Sequence, residues 1–288
     1  MVSSARLSLR GTPLSTIILV GGFATLVVPL VLTLANQTWS REFGAYGPIV
    51  LVTGLWLLWR QAPELRSEAK PGSVWLTLPI LATALVAYVF GYAYDFVTLE
   101  AAGVYGAGVA ILQSRVGMRP LLKHWFPLLY LAFVIPPPNA VLADLTAPLK
   151  SLVSEASTDW LASFGLPVAR EGVTIFVGQY QLLVEDACSG MNSLVGLIAV
   201  SLLYIYLMRG SSWLYSVILV GFIIPIAIVA NIIRIMTLIL LTYYCGNETA
   251  QGFLHFTAGM LLFTTALLCV FGLDRLLAFG RSRLGKRA

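Results

Sequence analysis

Three side chains far apart in the chain, Cys188, Arg234 and His255, have between them the chemistry of an acyl-transfer site. A thiol is a nucleophile once ionised, an imidazole serves as its base or as the acid for a leaving amine, and a guanidinium only holds negative charge. Cys188 follows Glu185-Asp186-Ala187 and opens an apolar run. It therefore falls in the first turn of a helix, where unpaired amides and the positive end of the dipole favour the thiolate. Arg234 lies inside another apolar run, and His255 opens the last one. An ionisable residue inside such a run is costly enough to be a functional candidate by default. The role open to Arg234 is to stabilise the thiolate or the oxyanion of an acyl-transfer intermediate.

The elements that must position these groups are membrane spans. Of 288 residues 58% are hydrophobic and 11% charged, with a mean hydropathy of +0.87. Soluble domains run about 45–50% apolar and about 25% charged, so a soluble protein is excluded. Disorder, a collagen repeat and a small disulfide scaffold are excluded too, because apolar content is high, Gly and Pro have no fixed period, and there are three cysteines. A net charge of +5 does not make nucleic acid the expected partner; what matters is where the bases sit.

A helix needs about 20 apolar residues to cross a hydrocarbon core roughly 30 Å thick. Uncharged runs lie between Arg10 and Arg41, Glu42 and Arg60, Lys70 and Asp95, Lys123 and Asp144, Asp186 and Arg209, Arg209 and Arg234, and Glu248 and Asp274. An eighth, Phe96 to Ser114, contains Glu100 but also Gly103, Gly106 and Gly108, small residues suited to close helix packing in lipid. The first run is longer than a signal peptide's apolar region of about 7–15 residues and reads as a retained span. Bases accumulate on the cytoplasmic side of short loops. With the N-terminus inside, Arg6, Arg10, Arg60, Arg66, Lys70, Arg115, Arg119, Lys123, Arg209, Arg275, Arg281, Arg283, Lys286 and Arg287 are cytoplasmic, 14 of the 18 bases. The expected architecture is a single all-α integral membrane domain over residues 1–288. It has about eight transmembrane helices, both termini cytoplasmic, and lies in a cell inner membrane.

This topology sends Asn139 to Asp186 to the outer face, after Ile135-Pro136-Pro137-Pro138 ends the fifth helix. Apolar residues at helical spacing from Lys150 to Phe164, with Lys150, Ser154, Glu155 and Asp159 between them, predict a helix lying in the interface. Val173–Val177 and Tyr180–Val184 around Gly178-Gln179 predict a short β-hairpin before the sixth helix. If the seventh helix starts near Ser212, Arg234 lies roughly 33 Å further on, close to the outer edge of the core. A short outer loop, Tyr243 to Gly252, then leads to His255. Topology alone thus brings Cys188, Arg234 and His255 to one depth, facing the periplasm or exterior.

In these residues the chain resembles the exosortase/archaeosortase family of polytopic membrane cysteine transpeptidases. The resemblance rests on Asp186-Ala187-Cys188-Ser189-Gly190, Asn231-Ile232-Ile233-Arg234 and His255-Phe256-Thr257-Ala258-Gly259, all between residues 185 and 259. Met191-Asn192 stands where many members have Leu-Arg. The resemblance implies that Cys188 is the nucleophile, completed by Arg234 and His255. The implied substrate is a membrane-tethered protein whose C-terminal tail carries a short motif, a hydrophobic helix and a basic cluster. A thioester acyl-enzyme forms as the tail leaves. Glu185 and Asp186 are candidates to orient His255 or the substrate, Asn231 to hold the guanidinium, and Ser189 to support the site. No cofactor or metal is expected: there is no His-Glu-x-x-His, and the two histidines, His124 and His255, fall on opposite faces of the membrane.

Each residue also has a plainer reading. Cys188 alone is a small buried hydrophobe, Arg234 an interfacial anchor that snorkels, and His255 a helix cap. A disulfide between Cys188 and Cys245 would make the first structural. Cys269, deep in the last span, reads as packing. A transporter or channel lined by Glu100, Arg234 and His255 is the alternative class, but no paired interrupted helices mark an inverted repeat. A lipid-modifying acyltransferase is the alternative enzyme.

Overall fold

The computed structural model describes residues 13–40, 46–172, 174–183, 193–207, 213–246, 248–250, 264–265, 268–273 and 275–276. They are mostly helical and fall into two compact units, the first holding residues 1–40 and 48–136, the second 41–47 and 137–288.

The first unit contains α1 (Pro13–Leu34), α2 (Gly47–Ser67), α3 (Val74–Ala93), α4 (Val97–Val116), α5 (Met118–Lys123) and α6 (Trp125–Ala132). A π-helical turn, Ala35–Trp39, prolongs α1. Thr16–Trp39 and α3 are long and apolar enough to cross a membrane. Exposed Trp75 and Tyr94 bracket α3 about 28 Å apart, the thickness of a hydrocarbon core with an aromatic residue at each boundary.

The glycines of α4 pack as small residues in lipid do. A Cβ at Gly103 would lie 2.5 Å from Tyr88 N and 2.7 Å from Ala84 O on α3, and Gly91 meets the Glu100 backbone as closely. The obstacle is backbone, which no side-chain rotation relieves. Gly103→Ala is therefore expected to force α3 and α4 apart and lower stability by about 1–3 kcal/mol, read as a shifted midpoint of denaturant unfolding in detergent. Gly21→Ala, with open space around it, is the control and should leave the midpoint unchanged.

The charged end of this unit is tied together by polar contacts. Lys70 N donates to Val116 O (3.0 Å) and Gly72 N to Ser114 O (3.1 Å), joining the α2–α3 connection to the end of α4. Lys123 pairs with Glu68 and holds that carboxyl below its ordinary pKa, mainly through their hydrogen bond. His124 Nδ1 lies 3.8 Å from Glu64 Oε2.

Where the sequence predicts a fifth span between Lys123 and Asp144, the helix α6 has eight residues, about 12 Å. Its end tightens: Phe133, Val134 and Ile135 donate to carbonyls three residues back before the donor-less Pro136–Pro138.

The second unit contains α7 (Asn139–Ser163), β1 (Val168–Glu171), β2 (Thr174–Val177), β3 (Tyr180–Leu183), α8 (Ser193–Leu207) and α9 (Trp213–Cys245). The helix expected from Lys150 starts instead at Asn139, directly after the triple proline, and runs through Pro148. It stops in a Schellman motif: Leu166 N donates to Leu161 O, Gly165 N to Ala162 O, and Gly165 takes a positive φ of 83°. The expected hairpin is present as β2 and β3, turning at Gly178 (φ 56°) with Val177 opposite Tyr180. A further strand, β1, pairs antiparallel with β2 in the order β1-β2-β3. Arg170 on β1 reaches back to Glu155 on α7 at 3.4 Å.

The core of this unit joins these elements to α9. Ile175, Val177 and Leu182 of the sheet, Val153 and Leu161 of α7, and Ile235, Leu238 and Ile239 of α9 form one buried cluster. The span-like part of α9, Val220–Cys245, begins seven residues after Trp213, and Pro225 interrupts its hydrogen-bond ladder.

Candidate active site

α9 carries the two described members of the expected site. Ala227, Ala230, Asn231, Arg234, Ile235, Leu238 and Thr242 recur at helical spacing and are all buried. Val229 and Ile233, on the other face, are 49% and 39% exposed. Arg234 is 2% exposed, on the same protein-facing stripe as the core residues beside it. A snorkelling anchor would sit on the Val229–Ile233 side with its head in water, so the anchor reading does not fit. Asn231, also 2% exposed, precedes Arg234 by three residues and shares its face.

Arg234 does not end its helix, as a run delimited by charged residues would have it. The helix continues past it for about 16 Å to Cys245, because Ile235–Tyr244 are apolar or Thr and the first residue to break it is Gly246, at φ 85°. The predicted outer loop from Tyr243 is thus helical to Cys245, and Ala250 N already donates to Gly246 O. Cys245 is a free, exposed thiol and Cys269 a free, half-buried one. Glu185, Asp186, Cys188, Ser189 and His255 lie outside the described residues.

α7 supplies a wall that the sequence reading missed. Ser154, expected between the apolar positions, is fully buried, as is Ser157, and Thr158 is 5% exposed. Their neighbours Val153 and Leu161 pack on α9. Thr158 Oγ1 donates to Ser154 O at 2.8 Å, while the Ser154 and Ser157 hydroxyls are buried without a hydrogen-bond partner among the described residues. The signal was there in the spacing of Ser154, Ser157 and Thr158, which repeats that of an inward-facing stripe.

Glycine also positions the helix that follows the Cys188 motif. A Cβ at Gly196 on α8 would lie 2.7 Å from the Cβ of Tyr46, so only glycine lets that ring seat against the helix.

A buried guanidinium with an amide on the same face, set in a core of helix and small sheet, can hold a developing negative charge in a site shielded from water. Among the described residues no group of His, Cys, Asp and Glu is arranged to hold a metal. Comparison with curated proteins and with solved structures gives no match. A family model described as transmembrane exosortase matches residues 39–272, a stretch that contains Cys188, Asn231, Arg234 and His255. With most of its length matched, the chain belongs to the transmembrane exosortase family.

Proposed function

We propose that this chain is a cysteine transpeptidase of a cell inner membrane that removes the C-terminal sorting tail of secreted, membrane-tethered proteins. The observation that supports this reading is the burial of Arg234 and Asn231 on the inward face of α9, within the matched region. A charge kept inside the protein at such cost has a use there.

In this reading both termini are cytoplasmic, the chain crosses the membrane about eight times and the site faces outward. The short α6 is compatible with a crossing. With its tightened end and an extended triple proline, Trp125–Pro138 reaches about 27 Å, and the prolines leave no amide donor unsatisfied in lipid.

A substrate held by its tail helix presents a peptide bond at the outer surface. The Cys188 thiolate adds to the carbonyl carbon, the carbonyl oxygen takes the electron pair, and Arg234 offsets its charge. The carbon–nitrogen bond breaks as His255 gives a proton to the tail's departing amine, which leaves a thioester on Cys188. Water or an acceptor amine then attacks the thioester, giving its proton to His255 and returning the thiolate. Water completes hydrolysis and an amine completes transpeptidation. Asn231 holds the guanidinium, Glu185 and Asp186 orient the imidazole or the substrate, and Ser189 supports the nucleophile's turn.

The test is co-expression with a secreted reporter ending in a hydrophobic helix and a basic cluster. Wild-type enzyme is expected to shorten it by the mass of the tail, and His255→Ala at matched membrane abundance to leave it full length. Reporters carrying a panel of motifs that all stay intact with the wild type would overturn the reading.

A further inference from the structure

The first unit contains a groove of about 530 Å³ walled by α1, α2, α4 and α6, with Leu19, Leu55, Val104, Val109, Leu128 and Ile135 among its lining residues. Every residue lining it is an aliphatic or aromatic one or glycine. Along α4 it runs from Ala101 to Leu112, about 16 Å, and along α1 from Leu19 to Leu34, about 22 Å. Phe23 closes over Gly108, 3.3 Å from where a Cβ would be, so this wall is shaped by a residue that cannot be larger without displacing the ring.

Size decides what fits. A substrate's tail helix, about 10 Å across, is the competing occupant, and the displacement arm of the test below distinguishes it. An extended hydrocarbon chain advances about 1.3 Å per carbon, from a carbon–carbon bond of about 1.5 Å, so 16–22 Å takes roughly 12–17 carbons. That is the length of one membrane acyl chain.

Charge decides which way it lies. Leu112 is followed one turn later by Arg115, and Arg60 follows the lining residue Leu58. The same end carries Arg66, Lys70, Arg119 and Lys123 against Glu64 and Glu68. Arg115 continues the α4 face formed by Val104, Gly108 and Leu112, which puts a cation beyond the groove's last lining residue on that helix. The opposite end, beside Ala101, carries Asp95 and Glu100. We propose that this groove binds one acyl chain of an anionic phospholipid of the surrounding bilayer, its phosphate at the basic end beside Arg115. Bases near a membrane surface attract anionic headgroups, and the apolar walls hold the chain.

Native mass spectrometry of the full chain in mild detergent, titrated with dipalmitoylphosphatidylglycerol or the zwitterionic dipalmitoylphosphatidylcholine, tests this. The expected result is one phosphatidylglycerol retained per chain, at least about tenfold tighter than phosphatidylcholine. Val109→Trp and, on another wall, Leu55→Trp fill the groove and are each expected to weaken retention about tenfold while helicity by circular dichroism stays at the wild-type value. Arg115→Gln should weaken phosphatidylglycerol retention about fivefold and leave phosphatidylcholine retention unchanged, while Arg60→Gln, on the far face of α2, should change neither. Equal retention of the two lipids by the wild type, or undiminished retention by both folded groove-filling variants, overturns the proposal. So does displacement of the lipid by an apolar helical tail peptide, since that would give the groove to the substrate.

Discussion

Cys188→Ala at wild-type membrane abundance is expected to leave a tail-bearing reporter full length, a loss of at least about 10³-fold in processing rate. The magnitude follows from the role. A nucleophile that forms the covalent intermediate has no substitute, and what remains comes only from positioning and charge stabilisation. Cys245→Ser and Cys269→Ala are expected to stay within about twofold of wild type; Cys245 is an exposed free thiol and Cys269 packs near the chain's end. The reporter's mass, read against a time course, distinguishes these outcomes. Alkylation repeats the test chemically: with Cys245 and Cys269 both replaced, a thiol reagent should still abolish processing. Reporter cleavage that persists without the Cys188 thiol ends the proposed mechanism.

Arg234→Ala is expected to lower processing by about 10²–10³-fold, the range seen when one group stabilising a developing oxyanion is removed. The buried setting supports a value at the upper end, because a charge shielded from water acts through a low dielectric. Arg234→Lys keeps the charge but loses the planar fork, and should fall between wild type and Ala. A packing role would give another pattern. Stability would drop with Ala, and activity would return when Arg234→Met restores volume without charge. Thermal midpoints in detergent beside processing rates separate the two. Arg234→Ala within about threefold of wild type at equal abundance would refute a role in charge stabilisation.

What the sequence made legible, and what it hid, follows from which signals are local. Apolar length alone marks the helices at Thr16–Trp39 and Val74–Ala93, and Gly103 and Gly106 announce the tight α3–α4 contact. The β2–β3 hairpin was readable from β-branched runs around Gly178-Gln179. β1 was not, because Val168-Ala169-Arg170-Glu171 is an edge strand with three exposed residues and no alternation. Treating charges as span ends hid two facts at once: α9 continues through Arg234, and the guanidinium faces inward. α7 starts at Asn139, eleven residues before the expected Lys150, and runs through Pro148. Ser154 and Ser157 look like surface residues by type. Only their spacing with Val153, Thr158 and Leu161 puts them on the face that packs against α9.

The proline in α9 has a mechanical consequence. Pro225 removes a hydrogen bond from its turn of the rod. Arg234 sits nine residues beyond it, so a bend of 10° there would swing the guanidinium's backbone by about 2.4 Å if the far half were unsupported. It is supported: Ile235, Leu238 and Ile239 are wedged between α7 and the small sheet. The guanidinium's position is therefore set by α7 and the small sheet and not by the proline turn.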